Sequence, residues 1–352
     1  MCRSRVGASI WAPDSVHPSR LGNQPRTHYR PQPSRVSRLG CLFHPNESRA
    51  PDAVLHLKLA SLSALLIAAV SFVLPSQAAE AAQGTPPVLR FSGIPNQNTT
   101  ELNEKYKPLA EYLSQQLGVK CEYVPSADYN ASVDGFKNGD LQLCWFGGYT
   151  GVQAREAVKG AQAIACGKRD TAFKSYIIAH KDTGLSKSSD FPFAMKGKSF
   201  TFGSAQSTSG RLMPEYYIRK YTKLTPKEFF GTEPNFSGSH DKTIELVAAK
   251  AFEFGVVDYT VYDKRVAEKK VDPTQVVVLW ETPTYADYNF TAHPILEERY
   301  GKGFTEKLQK TLVGITDEKL LAALDRKDGL IACDTKLFDQ LKQTARDIGL
   351  LR

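Results

Sequence analysis

The chain has 352 residues, 23% of them charged, a formal net charge of +8 and six cysteines. The charge is uneven: residues 1–87 hold nine Lys/Arg and four Asp/Glu, which is +5 of the +8 and leaves about +3 for the rest. A body this mildly basic gives no footprint for nucleic acid and suits a small anion.

Residues 1–50 are rich in Arg, Pro and Ser with little apolar periodicity, a composition that cannot bury a core. From His56 the pattern changes. Lys58 precedes an apolar run from Leu59 to Leu74, Pro75 breaks it, and Ala78, Ala79, Ala81 and Ala82 follow. This is the layout of a secretory signal peptide over residues 54–82, and the run is short for a membrane span of ~20 residues. The expectation is that residues 1–53 are a non-native or disordered leader and that translation starts near Val54 or Leu55. "RLGC" at 38–41 imitates a lipoprotein cleavage site, but no apolar run precedes it. About 265 residues then remain, enough for two α/β lobes of ordinary size.

"VLRFSGI" (88–94) reads as a strand. "TELNEKYKPLAEYLSQQLG" (100–118) reads as an amphipathic helix with Leu102, Tyr106, Leu109, Leu113 and Leu117 on one face and Gly118 ending it. Strands at 119–125, 141–148, 161–167 and 174–180 alternate with helices at 129–139 and 149–158. This βαβα order predicts an α/β fold with a largely parallel sheet. After residue 180 the chain turns polar, which places the crossing into a second lobe there. That lobe takes in "KSFTFGS", helices at 209–221 and 241–251, and the strand 252–258. The strand 276–282 is expected to carry the chain back, and the end of the chain reads as helices at 303–312, 317–324 and 337–348. The division is therefore 88–180 plus 283–352 for lobe 1 and 181–282 for lobe 2. Cys121, Cys144, Cys166 and Cys333 sit in or beside strands without metal-ligand spacing, and buried free thiols are the favoured reading.

Ligands in such folds sit beyond the carboxyl ends of the strands. The residues there are Gln97, Asn98, Tyr129, Phe146 to Tyr149, Ser207 to Ser209, His240, Asp258 and Asp287. "FTFGSAQSTSGRL" (200–212) carries most information. Three hydroxyls and a glycine lie between a strand and a helix. One hydroxyl is enough to cap a helix; three beside Gly210 point to a site where backbone N–H groups and a helix dipole hold an anion. Other chemistries fit less well. Ser207 has no nucleophile-elbow context, and adjacent His240 and Asp241 do not orient each other, so no catalytic triad is read. Tyr216 and Tyr217 resemble the tyrosine pair of a ferric-ion carrier, but lie mid-helix with Leu212 at core spacing. Only His180, His240 and His293 follow the leader, and no metal or cofactor is expected.

Four motifs in order, "SADYNASVDGFKNGDLQLCWFGG" (126–148), "FTFGSAQSTSGRLMPEYY" (200–217), "SGSHDKTIELV" (237–247) and "LWETPTYAD" (279–287), resemble the phosphonate-binding family of periplasmic solute-binding proteins that feed ABC transporters. The similarity runs over roughly residues 88–340, and within the family it is greatest to a subgroup labelled selenate-binding. The resemblance implies a two-lobed type II periplasmic binding protein fold with a hinge and an interlobe cleft. It implies a binding role rather than an enzyme, a small oxyanion ligand, and a membrane permease and ATPase as partners. By the same resemblance Tyr129 borders the ligand, Ser207, Thr208 and Ser209 cradle its oxygens, His240 contacts the same group and Asp287 meets an amine. Phe146 and Asp258 complete the expected ligand-binding set. Two departures stand out: a second amine-facing carboxylate falls at Thr260, and a pocket tyrosine at Phe173. Both remove partners for an aminoalkyl tail, which favours phosphite, methylphosphonate, phosphate or a selenate-like ion. A periplasmic sensing module for a receptor, or a ferric-ion carrier, is the alternative.

Overall fold

The computed structural model describes residues 87–352; the expected leader (1–53) and signal segment (54–82) lie outside the described residues. The first sheet starts from β1 (Leu89–Gly93), followed by α1 (Thr99–Leu117), β2 (Cys121–Tyr123), α2 (Tyr129–Lys137), β3 (Leu143–Phe146), α3 (Gly148–Ala157) and β4 (Gln162–Gly167). α1 shows how directly the sequence dictates local structure. The Asn98 side chain accepts from the N–H groups of Thr100 and Glu101, Gly118 ends the helix at φ 73°, and Leu102, Tyr106, Leu109, Leu113 and Leu117 are buried between them.

The chain then crosses. β5 (Ser175–His180), β6 (Phe200–Phe202), α4 (Met213–Thr222), α5 (Pro226–Phe230), β7 (Asn235–Phe236), α6 (His240–Ala248), β8 (Phe254–Asp258), α7 (Tyr259–Ala267) and β9 (Val276–Glu281) form the second lobe. It returns to add β10 (Asn289–Ala292), α8 (Ile295–Tyr300), α9 (Phe304–Val313), α10 (Glu318–Ala323), β11 (Leu330–Ala332) and α11 (Asp339–Asp347) to the first. The strand orders are β11-β4-β10-β3-β1-β2 and β7-β6-β8-β5-β9.

Both sheets are mixed rather than largely parallel. β1 pairs in parallel with β2 and β3, but β10 enters from the returning chain and lies antiparallel between β3 and β4. β5 is likewise antiparallel to β8 and β9. Strand pairing therefore sets the first crossing before Ser175, whereas the composition turns polar only after His180. β9 stays in the second sheet, and the return crossing follows it. The two crossing segments are tied together: Phe173 and Tyr285 exchange backbone hydrogen bonds of 2.8 and 2.9 Å, and Asp287 N–H donates to the Asp170 carbonyl at 2.9 Å.

β3 is buried on both faces, as expected for a central strand between α/β layers. Each of its large side chains contributes about 1.5–3 kcal/mol by leaving water. One apolar cluster runs from Phe91 and Leu143 in the first sheet to Phe202 and Trp280 in the second. In the second sheet the two-residue period splits the faces: Ile177 and Val256 join that cluster, while Ile178 and Val257 join a smaller one on the other side. Cys121, Cys144, Cys166 and Cys333 are free thiols, and no described helix is long and apolar enough to cross a membrane.

Candidate ligand-binding site

The hydroxyl turn follows β6. Ser207 is the cap: its Oγ accepts from the Gly210 N–H at 2.9 Å. Residues Thr208–Leu212 form a single π-helical turn that runs into α4, a distortion often found at functional sites. Gly210 is a steric requirement. A Cβ there would lie 3.0 Å from Ser207 Oγ, 3.1 Å from His240 Cε1 and 3.2 Å from the Gly203 Cα. Ser207, Thr208 and Ser209 are all buried.

The N-terminus of α3 meets this turn from the other lobe. Gly147 offers no side-chain cap, so the first helical N–H groups find acceptors elsewhere. Gly148 N–H donates to Asp287 Oδ1 at 2.8 Å, and Tyr149 N–H donates to Thr208 Oγ1 at 3.0 Å. The N-terminal N–H groups of one helix thus face the first turn of another, with their dipoles favouring negative charge between them.

His240 is the first residue of α6 and fully buried. Its backbone N–H donates across the lobes to the Asn96 carbonyl at 3.1 Å, and its Nδ1 accepts from the Asp258 N–H at 3.2 Å. An obligate backbone donor on Nδ1 puts the ring proton on Nε2. Burial depresses the imidazole pKa, against the pull of Asp258 and Asp241, and keeps the ring neutral. Nε2 has no protein partner among the described residues. Tyr129, the first residue of α2, is also buried. Its hydroxyl lies near the Ser207 side chain without a well-aligned hydrogen bond. Burial raises its pKa above the ordinary phenol range, so it remains a donor.

Asp287 lies on the return crossing, just before β10. Burial pushes its carboxyl up to about 8; the Gly148 N–H and the nearby Thr208 hydroxyl oppose this, while Asp258 and Asp170 add to it. Oδ2 has no partner. Asp258 is different. Its Oδ1 accepts from Thr260 N–H, Thr260 Oγ1 and Val261 N–H, and its Oδ2 accepts from Tyr288 Oη at 3.0 Å. That carboxylate caps α7 and has its oxygens engaged. Phe146 packs edge-on against Phe136 in the apolar core of the first lobe. Gln97 and Asn98 are engaged elsewhere: Asn98 caps α1, and Gln97 bonds Asp325 and Lys105.

Sequence reasoning did not single out Tyr288 or Arg326. The Arg326 guanidinium pairs with both oxygens of Asp170 at 2.6 and 2.7 Å, and its carbon sits 4.8 Å from the centre of the Tyr288 ring. Trp145 and Phe173 flank the same cation at 5.4 and 5.7 Å. The alternation of Tyr288, Asn289, Phe290 and Thr291 was a usable strand signal. Nothing local to "LDRKDG" marks Arg326, because Asp170 is 156 residues away. Tyr217 packs against Trp280 in the core, and Asp241 pairs with Arg265, not with the His240 ring.

A family model described as "ABC transporter, phosphonate, periplasmic substrate-binding protein" matches residues 91–338. The chain is 35% identical over 273 residues to the "Probable ABC transporter phosphite binding protein PhnD1" of Prochlorococcus marinus (strain MIT 9301), covering 76% of this chain and 92% of that one. It is 28% identical over 229 residues to the phosphate-import protein PhnD of Mycolicibacterium smegmatis, covering 61% and 69%. A solved structure of the Prochlorococcus PhnD1 in complex with methylphosphonate matches with a TM-score of 0.70 at 34% identity, over 75% of this chain and 99% of that chain. These relatives are substrate-binding proteins and not enzymes, and the chain belongs to the phosphonate-binding family of periplasmic substrate-binding components of ABC transporters.

Proposed function

We propose that this protein captures a small, tailless phosphorus oxyanion, of the phosphite or methylphosphonate class, between its lobes and hands it to a membrane permease and ATPase. The observation that carries the reading is a set of three buried polar atoms that find no protein partner among the described residues: Tyr129 Oη, His240 Nε2 and Asp287 Oδ2. An unpartnered buried polar atom costs about 1–3 kcal/mol. Two of these are donors, and both belong to residues that touch the hydroxyl turn. The third is a carboxyl whose pKa near 8 lets it share one proton with an ionisable P–OH group. Ser207, Thr208 and Ser209 complete the cradle in this reading.

Two features favour a ligand without a tail. Thr260 stands where the family resemblance implies a carboxylate, and Phe173 where it implies a tyrosine. The relative PhnD1 is named as a phosphite-binding protein, and its structure holds methylphosphonate. A selenate or sulfate ion brings no proton of its own, so it needs Asp287 protonated.

A thermal-shift panel of phosphite, methylphosphonate, phosphate, aminoethylphosphonate, selenate and sulfate tests this. A ligand at ~100 times its dissociation constant stabilises by ~2.7 kcal/mol. Phosphite and methylphosphonate give the largest shifts if the reading holds. Shifts with selenate and sulfate alone would overturn the phosphorus assignment and make Asp287 a pure donor.

A further inference from the structure

Away from the hydroxyl turn, one carboxylate is shared by two lysines that come from different lobes. Asp325 follows α10 in the first lobe, with a left-handed backbone at φ 55°. Its Oδ2 lies 3.0 Å from Lys105 Nζ on α1, also in the first lobe. Its Oδ1 lies 2.8 Å from Lys264 Nζ on α7, in the second. Gln97 completes the cluster, donating to Asp325 Oδ2 at 3.3 Å and accepting from Lys105 at 3.4 Å. The Asp325 side chain is only 20% exposed.

We propose that Lys264 and Asp325 form a closure latch, a positioning pair that holds the second lobe against the first and whose strength sets how often the cleft opens. The Lys105–Asp325 pair lies within one lobe and survives opening. Lys264 alone must leave. Closure therefore adds a second cation to a carboxylate that already holds one, while Glu268, just after α7, also attracts Lys264. That makes the latch weak by design, since two ammonium groups repel across a single carboxylate. α7 joins this end of the cleft to the ligand site, because its N-cap is Asp258, whose N–H holds the His240 ring. Resting on the oxyanion reading, the latch and the bound anion favour the same closed arrangement through α7. The other crossing ion pair, Lys270–Glu101, is 3.6 Å long with both side chains well exposed, and pairs of that kind contribute little.

Hydrogen–deuterium exchange on the full, ligand-free chain tests the latch. The reporters are the Tyr149 and His240 amides, which donate across the lobes, compared with the core amides of β3 and β8. Lys264→Gln is expected to speed exchange at the two reporters about five- to tenfold and to leave the core amides unchanged. Lys264→Arg restores slow exchange, Lys105→Gln does not speed it, and raising the salt makes wild type behave like Lys264→Gln. Equal reporter rates in ligand-free wild type and Lys264→Gln would overturn the proposal, as would equal acceleration of core and reporter amides. Methylphosphonate is added in a separate arm: if it fails to slow the wild-type reporters, the oxyanion reading fails, while the ligand-free comparison still decides the latch.

Discussion

Asp170 and Asp287 are each 1% exposed and each lie on a segment that crosses between the sheets, yet their hydrogen bonding is opposite. Asp170 is saturated. Both oxygens meet Arg326, and Oδ2 also accepts from the Gly167 N–H at 2.8 Å. Asp287 accepts one backbone bond, has the Thr208 hydroxyl nearby, and leaves Oδ2 without a partner among the described residues. The first cluster behaves as structure: a buried ion pair whose remaining donors and acceptors are met. The second keeps buried polar atoms in reserve, which lowers stability and is retained where a ligand supplies the missing partners. Both carboxyls are pushed up by burial, to about 6 for Asp170 and about 8 for Asp287. The difference reflects the guanidinium, which opposes burial at Asp170 and has no counterpart at Asp287.

The contrast can be broken at four points, taken from the largest expected effect. Asp170→Ala strands the Arg326 cation in the core, and unfolding titration should show a loss of about 3–5 kcal/mol. A loss under about 1 kcal/mol would remove the structural half of the comparison. Thr208→Val deletes one hydroxyl of the proposed cradle with little change of shape. Calorimetric titration should find methylphosphonate affinity down by about 1.5–3 kcal/mol, the worth of a hydrogen bond to a charged group, while the melting temperature moves by only a few degrees. Unchanged affinity would take the hydroxyl turn out of the site.

Asp287→Asn should stabilise the ligand-free protein, by roughly 0.5–2 kcal/mol, the usual gain when a functional compromise is relieved. The sign follows from the pKa. The folded carboxyl titrates near 8, above its ordinary value of about 3.9, so its contribution is most favourable below that ordinary value and declines as pH rises through 8. The Asn variant's advantage should therefore be small at pH 4 and grow towards pH 8. Melting curves across that range that run parallel would contradict the assignment. Asp258→Asn gives the smallest effect. Asn caps helices as well as Asp does, and methylphosphonate affinity should change less than about threefold; a larger loss would place Asp258 in direct contact with the ligand.

Much of this arrangement was legible beforehand, for identifiable reasons. α1 carries its own periodicity and its Gly118 stop, and α2 its Gly139 stop, so local physics places them. The turn at Ser207–Gly210 was readable because hydroxyls and a glycine at a strand–helix junction answer a backbone need. β10 was not placed, since a four-residue strand held between β3 and β4 owes its existence to neighbours far along the chain. β5 reads as a strand from its sequence, but composition puts it in the first lobe, whereas its pairing with β8 and β9 puts it in the second sheet. The different roles of Asp258 and Asp287 were equally hidden: both follow or precede apolar strands, and only the geometry shows one carboxylate engaged as a cap and the other half open.

The most direct measurement is ¹⁵N NMR of the His240 imidazole during a methylphosphonate titration at neutral pH. The ring is expected to be neutral and protonated at Nε2, with an Nε2–H resonance that moves downfield and exchanges more slowly with water as the oxyanion binds. A ring protonated at Nδ1, or an Nε2–H signal unmoved at saturating methylphosphonate, would contradict that expectation.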